Sequence, residues 1–126
     1  MRDLIRLGFF AMVCIPLSLC GQNNAKTDSL LKSLSLAKKD SNKVLLLFTI
    51  AEQFENSVPE KAKAYIAMGR ELSREIGYDL GIMKSYRMLS YVNSYQSKFD
   101  SVIYYNKLVL DIARSRNDSF NIGVSL

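Results

Sequence analysis

The sequence predicts an all-α fold in which antiparallel helix pairs stack into a short solenoid behind an N-terminal export signal. Three observations support this prediction. From Thr27 onward, apolar residues recur at helical spacing, without the alternation that is typical of strands. The breaks between these segments are two to five residues long, which makes successive helices antiparallel neighbours. The chain also resembles itself when it is shifted so that Ala62 is aligned with Val102.

Residues 1–20 have the composition of an export signal. Arg2 and Arg6 supply positive charge, and residues 7–19 form an uninterrupted apolar stretch. This stretch is too short to span a bilayer, which takes roughly 20 residues. Residues 21–27 follow as a polar linker. We therefore expect residues 1–20 to direct export, which would place the protein in the periplasm or at an envelope membrane.

The cysteine that ends this segment has two interpretations. Residues 17–20, Leu–Ser–Leu–Cys, resemble a bacterial lipobox, and the resemblance implies that Cys20 is lipidated and anchors the chain to a membrane. The residue before such a cysteine is normally small, whereas here it is Leu19. Ordinary cleavage after Cys20 or Gly21 is the alternative.

Helices are predicted from apolar stripes and the residues that flank them. Residues 27–29, Thr–Asp–Ser, offer caps for a first, capping helix, and Pro59 suits a first helical position. Gly77 follows the third helix as a residue that can adopt positive φ. The predicted helices span residues 28–39, 44–54, 61–76, 80–95 and 99–114, with a sixth beginning near Phe120.

The shift aligns one helix pair with the next through the intervening loop. The aligned residues include Ala62 with Val102, Tyr65 with Tyr105, Gly69 with Val109, Leu72 with Ile112, Gly77 with Asn117, Leu80 with Phe120 and Ile82 with Ile122. Chance apolar periodicity rarely continues through a loop. The sequence therefore predicts repeated helix pairs at residues 40–78 and 79–117, and the start of a third at residues 118–126.

The second pair resembles the tetratricopeptide repeat, which has an aromatic, a leucine and a small residue in its first helix. An aromatic and an acid follow at the turn, and the second helix carries two small residues seven apart. The matching residues are Tyr86, Leu89, Ser90, Phe99, Asp100, Val102 and Val109, with Ala62 and Gly69 in the preceding unit. The sequence departs from the pattern at Asn93, at Ser97 in place of the turn glycine, and at its valines. The distance between units also exceeds the usual repeat length, so we expect longer joints at residues 76–79 and 115–118.

This resemblance implies a right-handed solenoid with a concave groove formed by the first helix of each pair. It assigns repeat packing to Ala62, Tyr65, Gly69, Tyr86, Leu89, Ser90, Phe99, Val102, Tyr105 and Val109. The candidate partner groove consists of Lys84, Arg87, Tyr91, Ser94 and Tyr95. Lys84 and Arg87 would reach acidic groups, and Tyr91 would serve as an aromatic anchor. The alternatives are a solvated surface for the charged residues and packing between units for the tyrosines.

The composition argues against catalysis, cofactors and metal binding. The chain has no histidine, and its two cysteines, Cys14 and Cys20, both lie in the export signal. The acids of residues 70–75 alternate with arginines, which favours a surface charge network over an acid–base pair. The net charge is +5, but the sequence lacks the dense block of Lys and Arg that is typical of nucleic-acid binding, so we expect no nucleic-acid partner.

The sequence thus predicts an envelope-located module that binds a protein or peptide. The alternative is the truncated N-terminal sensory region of a bacterial sensor histidine kinase or helix-turn-helix regulator, with its output domain beyond Leu126. The chain is similar to such regions in the order of its segments, which are an export signal, a capping helix, a degenerate first unit and residues 76–82. An uncapped C-terminal face, in either case, predicts self-association.

Overall fold

The structure, a computed structural model, describes residues 25–117. Every regular element in this range is a helix, so the predicted all-α class is confirmed. The helices are α1 (residues 25–36), α2 (Ser41–Glu52), α3 (Pro59–Glu75), α4 (Asp79–Tyr95) and α5 (Phe99–Ser115). Within residues 25–117, none of them is both long and apolar enough to cross a membrane. The predicted export signal, with Cys20, and the predicted sixth helix lie outside the described residues.

Two compact units make up the chain, Met1–Ser35 and Leu36–Leu126, and each is described by itself. In the first unit, the described residues belong to α1, where the Ser33 hydroxyl donates to the carbonyl of Ser29 at 3.0 Å. The prediction that residues 27–29 cap this helix is wrong, because α1 already includes residues 25 and 26. The helix also ends at residue 36 rather than 39.

In the second unit, α2 begins at a side-chain cap. The Asp40 carboxylate accepts a hydrogen bond from the backbone N–H of Lys43 at 3.0 Å, while Asp40 itself is extended. Helix α2 is apolar on more than one face because it packs against both α3 and α4. Its buried residues are Val44, Leu47, Phe48, Ile50 and Ala51.

Three helices of equal length follow α2 at a fixed interval. Helices α3, α4 and α5 each contain 17 residues and begin at positions 59, 79 and 99. Three residues join α3 to α4, and three join α4 to α5. One helix with the joint that follows it therefore forms a constant period, and two such periods make up one helix pair. The expected longer joint at residues 76–79 is therefore wrong, because the additional length lies in the helices. Pro59 occupies a first-turn position of α3, as predicted.

The joints share one backbone conformation. The second residue after each of α3, α4 and α5 has positive φ, at 68° for Gly77, 57° for Ser97 and 55° for Asn117. In the first two joints a six-residue hydrogen bond of the Schellman type closes the turn. These bonds join the N–H of Tyr78 to the carbonyl of Ser73 at 2.7 Å, and the N–H of Lys98 to the carbonyl of Asn93 at 2.9 Å. Ser97 thus adopts a conformation that glycine adopts without steric cost.

Each helix of the second unit packs against its neighbour in the chain, and small residues permit close approach. A Cβ at Gly69 would lie 2.9 Å from Cδ1 of Phe48, so the backbone of α3 is close to that ring of α2. A Cβ at Gly81 would lie 3.0 Å from the Cβ of Ser73, which brings α4 equally close to α3. Helix α2 also contacts α4, whereas α3 and α5 do not meet within the described range.

The residues predicted to pack between repeats differ in their burial. Ala62, Gly69, Leu89, Ser90 and Val109 are buried, and Tyr65, Tyr86, Val102 and Tyr105 are half-buried. The rings of Tyr86 and Tyr105 stack with centroids 6.1 Å apart and so connect α4 to α5. The prediction for Phe99 is wrong, since it is 66% exposed. As the first residue of α5, it lines a surface depression beside the joint.

Candidate functional site

A cleft of about 590 Å³ opens on the face where α2 and α4 meet. Its lining residues are Glu52, Glu55, Lys84, Arg87, Met88, Tyr91 and Tyr95. The structure therefore brings four of the five predicted groove residues together at one site. Ser94 does not line the cleft, and its hydroxyl donates to the carbonyl of Tyr91 at 2.7 Å.

Helix α4 supplies most of the cleft through a single stripe of its surface. Lys84, Arg87, Tyr91 and Tyr95 follow one another at three- and four-residue intervals, which places them on one helical face. The residues of α4 between them include Leu89, Val92 and others that are buried in the helix packing. Tyr91 is 57% exposed and Tyr95 is 63% exposed, so both rings are available to a ligand.

The two acids of the cleft come from the end of α2 and the turn after it, and sequence reasoning missed them. Glu52 is exposed, whereas Glu55 is half-buried. Burial raises the pKa of Glu55 above the ordinary glutamate value, and the neighbouring charge of Glu52 raises it further. Their spacing after an apolar run was visible in the sequence. Their proximity to α4 was not, because it depends on the contact between α2 and α4.

Lys84 of α4 contributes a positive charge to the lining of the cleft. Its Nζ lies 5.8 Å from the centroid of the Phe48 ring, so the ammonium group is close to α2. Within the described part of the chain, no ion pair joins Lys84 to Glu52 or Glu55. Lys84, Glu52 and Glu55 therefore line the same cleft with opposite charges, and Lys84 is not paired with either acid.

The helix ends differ in a way that adds to this electrostatic pattern. Arg74 and Arg114 lie in the last turns of α3 and α5, where a cation stabilises the negative end of the helix dipole. The last turns of α2 and α4 contain no basic residue. Since α3 reverses the chain between them, α2 and α4 run parallel, and their negative ends lie at the same end of the cleft.

Comparison with known proteins gives no assignment. No protein family, curated protein or solved structure matches this chain. Its function is therefore inferred from the cleft itself.

The predicted charge network lies elsewhere, on α3. Arg74 Nη1 pairs with Glu71 at 3.1 Å, and Lys39 pairs with Glu75 at 3.3 Å. Arg74 also donates to the Tyr86 hydroxyl at 3.2 Å, which connects the network to α4. Of the alternating charges, only Glu71 and Arg74 pair with each other, whereas Glu75 pairs with Lys39 from outside the segment. Over residues 25–117, no cluster of three or more acidic or cysteine side chains is placed to hold a metal ion.

Proposed function

We propose that this chain is a protein-interaction module of the tetratricopeptide type, which binds a peptide segment of a partner in the cleft between α2 and α4. The observation that carries the proposal is the convergence of two exposed tyrosines with charged residues in one cleft. Tyrosine supplies a large, amphipathic contact area and is enriched among the residues that dominate binding energy. Charged groups beside it would fix the register of the partner.

A short right-handed solenoid is the architecture that we propose for the helix pairs. Its support is the regular helix period and the contact between α2 and α4. If first helices meet while second helices stay apart, the stack bends toward the first helices and makes their side concave. The cleft lies on that side.

Binding in the cell envelope, rather than catalysis, completes the proposal. The location is proposed from residues 1–20, whose charge and apolar stretch resemble an export signal. Catalysis is not proposed, because the chain has no histidine and its cysteines lie at positions 14 and 20.

The test is a peptide-display selection on the purified chain, followed by affinity measurements on the enriched peptides. We expect Tyr91→Ala to weaken their binding about tenfold, the effect of losing a central aromatic anchor. Tyr104→Ala is the matched control, because Tyr104 on α5 is 58% exposed, close to the 57% of Tyr91. Failure to enrich any peptide, or equal losses in the two variants, would contradict the proposal.

A further inference from the structure

One side of helix α5 carries apolar residues that are open to solvent. Phe99 is 66% exposed and Ile103 is 57% exposed, while Asn106 and Leu110 are half-buried. These four residues follow one another at intervals of four, three and four, which places them on one side of the helix. Among the described helices, α5 contacts only α4. We call these four residues the open face of α5.

The preceding helix pair uses the same face to hold the next helix. In the repeat alignment, three residues of α3 correspond to residues of the open face, namely Lys63 to Ile103, Ile66 to Asn106 and Arg70 to Leu110. Ile66 is buried, and Lys63 donates at 2.8 Å to the side chain of Gln96, the residue after α4. The Cζ atom of Arg70 lies 5.4 Å from the centroid of the Tyr86 ring of α4. The open face of α5 is therefore equivalent to a face that docks a helix.

The open face is more apolar than its counterpart on α3. Isoleucine and leucine occupy positions 103 and 110, where α3 has lysine and arginine. The intervals of four and three residues are those of the apolar seam in a two-stranded coiled coil. The open face is therefore suited to another helix with an apolar stripe rather than to a polar ligand.

Two opposite charges flank the open face. Asp100 and Lys107 are exposed, and each directly follows a residue of the face, so both lie on the same flank. In the part of the chain that the structure describes, no ion pair engages either of them. Both side chains are therefore available to charges on a partner.

These charges are complementary to those of a second copy of the chain. Two antiparallel α5 helices can meet with Phe99 of one copy opposite Leu110 of the other. Asp100 of each copy then lies within about 3 Å of Lys107 of the other, measured along the helix axis at 1.5 Å per residue. A parallel pair in register would instead place like charges at the same level. Charges at such flanking positions set the partner and the direction of coiled-coil pairing.

We propose that the open face of α5 joins two copies of this chain in an antiparallel, two-fold symmetric dimer. The interface is isologous, because each copy contributes the same patch. The two Ile103 side chains lie beside the symmetry axis, about 4.5 Å apart along the helices, and an ion pair between Asp100 and Lys107 flanks them on each side. This inference gives the self-association expected from the sequence a specific surface. It is independent of the cleft, which none of these residues lines.

The dimer is expected to be weak. The open face covers residues 99–110, which is about 17 Å of helix. Two such faces bury less than the 1,200–2,000 Å² or so that a standard, stable interface buries. Exposed ion pairs also contribute little in water. We therefore expect monomer and dimer to exchange, with a dissociation constant in the micromolar range or above.

Sedimentation velocity at protein concentrations from about 1 µM to 1 mM tests the inference. The mass of the wild-type chain is expected to rise toward that of a dimer over this range. Ile103→Asp is expected to weaken the dimer tenfold or more, because it buries an unpaired charge beside the symmetry axis. Met68→Asp is the matched control and is expected to leave the dimer unchanged. Met68 lies on α3 and is 52% exposed, close to the 57% of Ile103.

Charge-reversal variants test the antiparallel direction. Asp100→Lys and Lys107→Asp each bring like charges together in a homodimer, so each variant alone is expected to dimerise less than the wild type. An equal mixture of the two variants restores both ion pairs between unlike chains, and its dimerisation is expected to recover. Asp111→Lys makes the same charge change on another side of α5 and is expected to have no effect. Circular dichroism of every variant verifies that the helices are retained.

Three results would overturn the inference. The first is a wild-type chain that stays monomeric over the whole range, which would leave the open face to a helix of this chain or of another protein. The second is a dimer that Ile103→Asp does not weaken, since that dimer would use another surface. The third is a mixture of the charge variants that dimerises no better than either variant alone. None of these results bears on peptide binding in the cleft, which is measured separately.

Discussion

Replacement of Ser97 by glycine is expected to stabilise the protein. Ser97 occupies the middle of the joint between α4 and α5 with φ of 57°, a left-handed conformation that costs an L-residue roughly 1–2 kcal/mol. Glycine removes this cost but adds roughly 0.5–1 kcal/mol of conformational entropy to the unfolded chain. The net gain is therefore about 0.75 kcal/mol at the middle of the two ranges, within limits of about 0–1.5 kcal/mol. Because Ser97 is exposed, we expect the loss of its hydroxyl to remove little stabilising packing.

The preceding joint, between α3 and α4, supplies a matched control. Gly77 has φ of 68°, and a Cβ placed on it would meet no atom within 4 Å. Gly77→Ser therefore introduces backbone strain without a steric clash and is expected to destabilise the protein by about the same 0.75 kcal/mol. The double variant Gly77→Ser with Ser97→Gly is expected to return close to wild-type stability, since distant changes of this kind add.

Urea unfolding followed by circular dichroism measures these differences. A change of about 1 kcal/mol corresponds to about 4–8 °C in the melting temperature of a domain of this size, so thermal unfolding gives an independent readout. If Ser97→Gly leaves the midpoint unchanged or lowers it while Gly77→Ser has no effect, the positive φ of these joints does not limit stability and the reasoning is refuted.

Three further variants probe the packing, the capping and the electrostatics of the second unit. Gly69→Ala is expected to cost about 1–3 kcal/mol because its Cβ would press on the Phe48 ring, and Phe48→Leu in the same chain should recover part of that loss. Asp40→Ala removes the N-cap of α2 and should lower the unfolding free energy by about 1 kcal/mol; an unchanged denaturation midpoint would exclude that role. Glu55→Gln should stabilise the protein at neutral pH and not in acid. Burial raises the folded-state pKa of Glu55, so its stabilising contribution is full below the unfolded-state pKa and is lost as pH rises through the folded-state pKa. Unfolding curves that show the same gain at both pH values would contradict this.

Much of the fold could be predicted because its signals are local. Pro59 and Gly77 mark the start and the end of α3 through their own backbone preferences, and the structure places both at those positions. Ser97 illustrates the limit of such signals. Serine does not by itself indicate positive φ, and only the repeated joint geometry reveals that it takes the role of Gly77. The N-terminus of α1 was mispredicted because Ser and Asp favour caps but are tolerated inside helices.

Only the part of the cleft that α4 contributes could be predicted from the sequence. Lys84 and Tyr91 share a helical stripe, which a sequence displays directly. Glu52 and Glu55 belong to a different part of the chain, and their position opposite that stripe depends on how α2 and α4 pack. Phe99 shows the reverse error, since its apolar character suggested packing while its place at the start of α5 leaves it exposed.

The pattern of helix contacts has a consequence for how quickly the second unit folds. Helices α2, α3 and α4 each contact the helix that follows, and within the described range only α2 and α4 meet across one intervening helix. Such interactions close short loops, so little chain entropy is lost before the first favourable contact forms. Helical proteins with contacts this close in sequence fold in about microseconds to milliseconds. A newly made chain would therefore conceal its apolar stripes soon after each helix pair emerges, which shortens the time during which they are exposed to aggregation.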